Sequence, residues 1–405
     1  MNDARQPDVV CLSSNDWTAL PTSKHHLMSV LSRRGRVLYV DPPMDLASVL
    51  GRARRWPKLR RLRQVEGGLW VLSDISLVHP PSPRARAERC RRAAARIEGA
   101  ARRCGLSPPV VWAFSPEHAA CKGLLGERLL VYHAADDPAS MSRHPEETAA
   151  LEESMLDACD LVFVSSQALL EARGGRAPTH RLPNAADRAH YARVLCGDPA
   201  ATADALASAA ARPGVRPRGL PPAGRPVVMY GGAAYGWFDW DLLLRVAAMR
   251  QDWAFVLVGP VSARVRPGAL SRNVLLAGRR PYEEFPWHVA AASAMILPWR
   301  DGPFSRHADP IVLYEALLCG KPVVTTPFPA ALERGGLVRT AAGPEAFAAA
   351  LDAAVAEPPG EGPAAERVRF GFGNTWEHRA AAALAIIGSA LASRRRRGPT
   401  RNGGS

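Results

Sequence analysis

Asp309-Pro310-Ile311-Val312-Leu313-Tyr314-Glu315-Ala316-Leu317-Leu318-Cys319-Gly320-Lys321-Pro322-Val323-Val324 reads as a helix running into a strand. Asp309 stands where an N-cap belongs, Pro310 suits the first helical position, and Gly320 suits the C-terminal cap. The unpaired amides at such a helix start, around Asp309, Ile311 and Val312, can hold a diphosphate, aided by the positive end of the helix dipole. Glu315 lies about a turn and a half into the helix. A carboxylate there can accept both hydroxyls of a ribose joined to that diphosphate. The alternative gives Asp309 a capping role alone and leaves Glu315 in solvent.

Outward from this segment, short apolar runs alternate with amphipathic stretches along the chain. That is the pattern of an α/β protein with parallel sheets. In the first half, residues 9–12, 37–40, 110–114, 129–132 and 160–164 read as strands, with a helix near 22–33. A further strand near Arg181 and Leu182 breaks at Pro183 and Asn184. In the second half, residues 226–230, 254–258, 274–276, 294–297 and 322–325 read as strands, with helices at 240–249, 283–292, 310–319 and 344–356. Residues 193–225 hold Ala, Gly, Pro and Arg with almost no large apolar side chain, and read as an interdomain linker with some helical, alanine-rich content. The expected division is therefore a doubly wound domain at 1–192, a hinge-like linker at 193–225 and a second doubly wound domain at 226–373. A long helix at 374–394 is expected to cross back onto the first domain, and 395–405 to form a disordered basic tail. Ligands of open α/β sheets bind beyond the carboxyl ends of the strands, so two facing halves would present two loop-lined rims to one cleft.

The length of 405 residues fits two domains, and 47% hydrophobic with 22% charged residues is an ordinary globular composition. No run of 18 apolar residues occurs, which argues against a spanning helix. Residues 1–7 lack the basic-then-apolar order of a signal peptide. The seven cysteines are scattered and none forms C-x-x-C. Neither a disulfide framework nor a structural zinc site is expected, and the reducing cytoplasm is the expected compartment. Lys and Arg number 52 against 38 Asp and Glu, a net charge of +14. Only four of the basic residues are lysine, at 24, 58, 122 and 321, as the coding bias of a GC-rich bacterial genome would give. That bias explains the choice of arginine but not the excess of charge. The excess points to an anionic partner: a phosphorylated substrate, an anionic membrane surface or nucleic acid.

Three further strand ends carry chemistry. Gly231 and Gly232 follow a strand and either let the backbone approach a diphosphate or form a plain tight turn. The full G-x-G-x-x-G of a dinucleotide site is absent, which argues against NAD. In Tyr132-His133-Ala134-Ala135-Asp136-Asp137-Pro138, Asp136 or Asp137 can orient or deprotonate an acceptor hydroxyl, or can start a helix. The loop from 15 to 26 offers Asn15, Asp16, Ser23, Lys24 and His25 for acceptor or donor contacts. His25 and His26 find no further ligands at metal spacing, so no metal site is expected.

Taken in order, these segments resemble GT-B-fold glycosyltransferases of family 4, and more narrowly the teichuronic-acid-type bacterial glycosyltransferases. The resemblance runs over nearly the whole chain. It includes 13–17, 36–43, Val131-Tyr132 through Asp136-Asp137 and Leu182-Pro183-Asn184. It continues through Tyr230-Gly231-Gly232, Trp237 to Leu242, Val258-Gly259-Pro260, Asn273-Val274, Gly278 and Pro281-Tyr282. The 309–324 segment and Asn374-Thr375-Trp376 with Arg379 complete it. The resemblance implies two Rossmann-like domains facing across a cleft, the second binding a nucleotide-diphosphate sugar and the first the acceptor. It implies metal-independent transfer to a hydroxyl with retention at the anomeric carbon and no cofactor beyond the sugar nucleotide; no carboxylate pair marks a double-displacement route, so front-face transfer is the expectation. His133 matches a position where some members carry a histidine that touches the donor sugar. Residues 278–282 match the loop facing the nucleobase, which assigns Arg279 and Tyr282 to the donor. The family's usual first glutamate, eight residues before Glu315, is His307 here, and its usual lysine is replaced by Val312. The loop from 231 to 237 lacks the usual cation pair, so Arg300 and Arg306 become the substitutes for gripping the diphosphate.

Two basic stretches remain. Residues 51–63 carry seven basic side chains and no acidic one, interleaved with Trp56, Leu59 and Leu62, and can lie on an anionic membrane surface. Residues 84–103 carry eight arginines and two glutamates at helical spacing. Resembling enzymes often meet lipid-linked acceptors with the first domain docked at a membrane; the plainer alternative is a solvated basic face. Nucleic acid is not expected, because no recognition motif accompanies the charge. The expected function is thus a cytoplasmic glycosyltransferase, peripheral at the inner membrane face where its acceptor is lipid-linked. The alternatives are a sugar-nucleotide epimerase on the same fold and a non-catalytic glycosyltransferase-like partner protein.

Overall fold

Runs such as Val9-Val10-Cys11-Leu12 and Ala254-Phe255-Val256-Leu257-Val258 are buried at every position. That is what strands covered on both faces by helices require. In this computed structural model they assemble into two parallel-rich sheets. The structure describes residues 6–42, 44–45, 62–73, 75–76, 82–212, 215–360 and 362–397. The chain forms two units, Met1–Pro183 together with Glu377–Ser405, and Asn184–Trp376.

The first unit holds an eight-stranded sheet. Its strands are β1 (Val9–Leu12), β2 (Val37–Val40), β3 (Leu62–Glu66), β4 (Leu69–Leu72), β5 (Val110–Ala113), β6 (Leu129–Ala134), β7 (Leu161–Val164) and β8 (Thr179–Arg181). Their spatial order is β8-β7-β6-β5-β1-β2-β4-β3. All pairs are parallel except β3 with β4, a hairpin at the sheet edge. Helix α1 (Ser23–Ser32) follows β1, and the long α2 (Pro83–Arg103) covers one face. Ser82 caps α2 by accepting from the Ala85 amide at 3.3 Å, and Pro83 takes the first turn. Ala94, Ile97, Ala100 and Ala101 of α2 are buried in a core with Val10, Leu38, Val111 and Leu130. Helices α3 (Pro145–Ala158) and α4 (Gln167–Arg173) complete the unit's first passage.

The second unit holds a six-stranded, wholly parallel sheet of β9 (Val227–Gly231), β10 (Ala254–Val258), β11 (Val274–Gly278), β12 (Ala294–Leu297), β13 (Val323–Thr325) and β14 (Arg339–Thr340). The order is β11-β10-β9-β12-β13-β14. The reversal of winding beside β9 puts a topological switch point at the end of that strand. Helices α5 (Arg188–Cys196), α6 (Ala203–Ala211), α7 (Trp240–Met249), α8 (Phe285–Ala291), α9 (Pro303–His307), α10 (Ile311–Leu318), α11 (Pro344–Val355) and α12 (Pro363–Gly373) surround it. The final helix α13 (Trp376–Arg397) takes the chain back to the first unit. There Arg33 pairs with Glu377 at 2.9 Å and Arg379 Nε donates to the Pro183 carbonyl at 3.0 Å.

Four expectations change here. Residues 193–225 are not a free linker: α6 is capped by Thr202, and Leu206 and Ala210 are fully buried in the second unit's core. Alanine alone can pack a helix closely, so the lack of large apolar side chains misled the reading, and a hinge at this position is not what the chain contains. The unit boundary falls instead at Pro183 and Asn184. The basic end does not stop at 394, since α13 continues to Arg397, and Arg394 Nη1 contacts the Arg128 carbonyl at 2.8 Å and Asp160 at 3.0 Å. Finally, Cys90 and Cys121 form a disulfide. Their separation of 31 residues carries no local signal; the packing of the 3-10 turn Pro116–Cys121 against α2 brings them together. Of the basic stretch 51–63, only Leu62 and Arg63 lie among the described residues. Among the described residues no helix is long and apolar enough to cross a membrane.

Candidate functional site

In the second unit the carboxyl ends of β9, β10 and β11 are glycines: Gly231-Gly232, Gly259 and Gly278. Gly259 has φ +145°, and a Cβ there would lie 2.0 Å from the Gly232 carbonyl oxygen, so the two backbones touch in a way only glycine permits. A Cβ on Gly231 would meet Phe285 at 2.6 Å and Val312 at 3.1 Å. Val312, in the first turn of α10, therefore packs beside the glycine end of β9. The helix start and the Gly-Gly turn that the sequence assigned to one ligand are neighbours.

Glu315 is buried in α10, not solvated as the alternative reading had it. Burial pushes its carboxyl up from 4.5 to about 7, against the hydrogen bond from Tyr282, which pulls it down. Tyr282 Oη donates to Glu315 Oε1 at 3.3 Å. The Tyr282 ring stacks on His190 at 4.3 Å and 13°, and His190 Nε2 lies 3.1 Å from the Tyr282 carbonyl. Tyr191 is buried beside Glu315, whose charge, after burial itself, pushes the phenol well above its ordinary value. A hydrogen bond with Tyr191, like the one from Tyr282, pulls the Glu315 carboxyl down against its burial.

Asp309 is corrected. It does not cap α10; Pro310 occupies the N-cap position and the helix begins at Ile311. The Asp309 side chain is 0% exposed. It accepts from the Asn184 amide at 2.7 Å and from Tyr314 Oη at 3.0 Å, and pairs with Arg334 at 3.2 Å. Its oxygens thus tie the helix start to the chain at Asn184, 125 residues away, rather than facing a ligand. Arg306 forms a two-pronged exposed pair with Asp301, at 2.9 and 2.7 Å. Arg300 is exposed, 3.9 Å from Asp239, and Arg279 is exposed. Sequence reasoning missed His190, Tyr191, Tyr314 and Arg334. The first two had been assigned to the other domain, and no local pattern marks Arg334.

In the first unit His133 is the last residue but one of β6 and is 2% exposed. Trp112 Nε1 donates to His133 Nδ1 at 3.4 Å, and Phe114 packs on the ring at 4.9 Å. Indole N–H can only donate, so Nδ1 is the acceptor and Nε2 carries the proton. Nε2 is buried with no partner among the described residues. Burial, then the Lys24 charge, lowers the imidazole to about 3. His133 is therefore a neutral hydrogen-bond donor, not a base. Lys24 is also buried, its Nζ 5.4 Å from the Phe114 ring centre. Burial lowers its ammonium while the nearby Asp136 opposes that shift. Asp136 is half-buried. Asp137 is committed elsewhere: it pairs with Arg173 at 2.9 Å, which in turn holds Glu152. Neither aspartate caps a helix, since α3 begins after His144.

His25 is corrected from a ligand-binding to a structural residue. The Thr22 amide donates to its Nδ1 at 3.1 Å, which leaves the proton on Nε2, donated to the Asp16 carbonyl at 2.9 Å. Both ring nitrogens are used, the ring lies against Trp17 and Tyr39, and burial lowers its pKa to about 4. The Asn15 carbonyl accepts from Ser13 at 2.8 Å and Tyr39 at 2.7 Å. Asn15 and Asp16 are half-buried on this turn, and Ser23 is buried at the start of α1. Among the described residues no group of three or more His, Cys, Asp or Glu could hold a metal.

A two-unit GT-B chain, with a largely parallel sheet in the first unit and a wholly parallel one in the second, is the fold these features define. Residues 225–357, within the second unit, match the family described as glycosyl transferases group 1. A stretch of 95 residues, 22% of the chain, is 32% identical to TuaH of Bacillus subtilis, which carries the name of a teichuronic acid biosynthesis glycosyltransferase. The match spans 24% of that relative. Among solved structures, HepE of Anabaena in complex with UDP and glucose matches with a TM-score of 0.63 at 17% identity, over 95% of this chain and 100% of that one. An α,α-trehalose-phosphate synthase (UDP-forming) of Burkholderia xenovorans in complex with glucose-6-phosphate matches at 0.61 and 11% identity, over 95% and 99%.

Proposed function

We propose that this protein is a glycosyltransferase that moves a hexosyl group from a nucleotide-diphosphate sugar to an acceptor hydroxyl. The observation that carries the reading is Glu315: a carboxylate buried on α10, whose first turn packs beside the glycine end of β9, within the domain that matches glycosyl transferases group 1. A buried carboxylate held near pH 7 gains most from two hydroxyl donors, and a ribose supplies them. The amides of Ile311 and Val312 and the Gly231-Gly232 backbone suit the diphosphate, with Arg300 as the nearby cation. Those fixed dipoles meet the charge that develops on the leaving diphosphate. In the first unit, His133 Nε2–H is a donor for a sugar hydroxyl, and Asp136 is the group suited to take the acceptor's proton. By family resemblance the transfer retains anomeric configuration. The acceptor is a cell-envelope polysaccharide or a lipid-linked intermediate, met at the cytoplasmic face of the membrane.

UDP is the first nucleotide to test, because HepE binds it. Calorimetric titration with UDP, GDP, dTDP and ADP, with Glu315→Ala as control, checks the reading. Tight binding of one nucleotide, lost in the variant, is expected. Folded protein that binds none of them would instead be a non-catalytic partner. Turnover of the sugar nucleotide to an epimer without acceptor would make it an epimerase.

A further inference from the structure

Lys321 lies just past the end of α10 and lines a cavity of about 280 Å³ in the second unit. Ser293 and Pro322, the residues before β12 and β13, line it too. The cavity therefore sits at the amino ends of those strands, the opposite end of the sheet from the glycine turns. Helices α6, α8 and α11 bring only small or apolar side chains to its wall: Ala207 and Ala211, Ala290 and Ala291, and Val355. Alanine at these positions leaves room that longer side chains would fill.

The charged residues on the wall are Lys321, Glu357 and Arg367. Glu357 is engaged by Arg339 and by Arg367, and Arg367 Nε also donates to the Gly320 carbonyl at 3.1 Å. The Lys321 amine has no ion pair or hydrogen bond among the described residues. Its backbone is fixed, since the Lys321 amide donates to the Ala316 carbonyl at 3.0 Å. A charge withdrawn from water without a partner favours its neutral form, and burial lowers this amine from 10.5 to about 8. Roughly a quarter of it is free base at pH 7.5, against about one part in a thousand for an ordinary lysine. The side chain is only half-buried, so the amine remains within reach of a reagent in solution. Cys319 is the other nucleophile on the wall, and burial pushes its thiol up, which keeps it protonated. An arginine at position 321 could not release its proton in this way. Of the other three lysines, Lys122 pairs with Asp160 at 3.0 Å, Lys24 is buried over the Phe114 ring, and Lys58 lies outside the described residues.

We propose that Lys321 is a modification site, N-acylated by a small acyl phosphate whose acyl group the cavity receives. The free amine attacks the acyl carbon and a C–N bond forms. The bond from that carbon to the phosphate oxygen breaks, inorganic phosphate leaves with the electron pair, and the amine's proton passes to it or to water. The product is an amide and no further reactant is consumed. A cavity of about 280 Å³ is at the small end for a ligand site, which suits an acyl phosphate better than an acyl group on a large carrier. The amide is neutral, so it ends the cost of holding an unpaired ammonium there.

The test incubates the full-length protein with acetyl phosphate between pH 6.5 and 9.5 and follows acetylation at each lysine by peptide mass spectrometry. The same chain denatured in guanidinium chloride is the reference, so Lys321 is compared with itself. A less basic amine is a weaker nucleophile, which offsets part of the roughly 200-fold gain in free base. Lys321 is therefore expected to react roughly tenfold faster in the folded protein at pH 7.5. Its rate is expected to level off above about pH 8, while in the denatured chain it keeps rising. Ala207→Leu and Ala211→Leu, both at half-buried positions, put larger side chains on the wall. They are expected to slow acetylation of Lys321 several-fold and to leave Lys122 unchanged. Reaction at Lys321 no faster in the folded than in the denatured chain overturns the proposal. So does a folded-state rate that climbs without a plateau to pH 9.5, or an unchanged rate in both leucine variants.

Discussion

Tyr282 Oη donates to Glu315 Oε1 at 3.3 Å, from the loop after β11 onto the helix that follows β12. This bond positions a carboxylate whose burial has already raised it to about 7. A carboxyl with a folded value above its unfolded one stabilises the fold at low pH and loses that contribution as pH rises from about 4.5 through 7. Glu315→Gln is therefore expected to remove this loss, on the order of 3 kcal/mol at pH 8, while weakening nucleotide binding by tenfold or more. Urea denaturation at pH 5 and pH 8 and nucleotide titration check the two effects together. A variant with the same pH dependence as the unaltered protein would count against a buried, titrating Glu315.

Two buried histidines and the half-buried His118 act in the opposite direction. His25 and His118 sit at about 4 and His133 at about 3, each lowered chiefly by burial. The unfolded chain binds their protons below about 6.5, so stability falls as pH drops through that value toward 4. Three protons outweigh the one at Glu315, so the unliganded protein is expected to lose melting temperature between pH 7 and pH 5. His25→Asn should flatten that slope.

Adjacent aspartates are expected to fail differently. Asp136→Asn should lower the transfer rate by about 100-fold with nucleotide affinity unchanged. Asp137→Asn should instead destabilise the first unit by about 2 kcal/mol or more, because it leaves the largely buried Arg173 short of a partner. Steady-state rates and urea midpoints measured on both variants separate these outcomes.

Arg334 and Asp309 form a pair with side chains 10% and 0% exposed. Arg334→Met leaves the Asp309 charge buried with one cation fewer, which is expected to cost about 3–5 kcal/mol. Nucleotide affinity should fall with it, since Asp309 holds the start of α10 against Asn184. Chemical denaturation with and without saturating nucleotide checks the link.

The central strands were legible because most are short apolar runs buried on both sheet faces; β3 (Leu62–Glu66), β4 (Leu69–Leu72) and β14 (Arg339–Thr340) were missed, β3 and β14 because they are polar and largely exposed at the sheet edges. Glu315 was legible as a candidate because helix spacing sets it a fixed distance from the helix start. The roles of Asp309 and His25 were not. Asp309 sits where a cap would, yet its partners Asn184 and Arg334 are 125 and 25 residues away. His25 looks like a ligand among polar neighbours, yet the Thr22 amide and Asp16 carbonyl use both its nitrogens. Residues 193–225 read as a linker because alanine gives no periodic apolar signal, although Leu206 and Ala210 are buried.

By itself the sequence determined the two sheets, their parallel winding and the family resemblance, since these follow from local runs, turn residues and their order. Only the tertiary structure decided which polar residues are already satisfied and which are not. It engages Asp309, Asp137 and His25, leaves His133 Nε2 buried without a partner among the described residues, and turns Arg86, Arg89 and Arg96 into one cavity. Hydrogen-bond saturation and side-chain pKa depend on neighbours distant in the chain, and residue spacing alone carries no record of them.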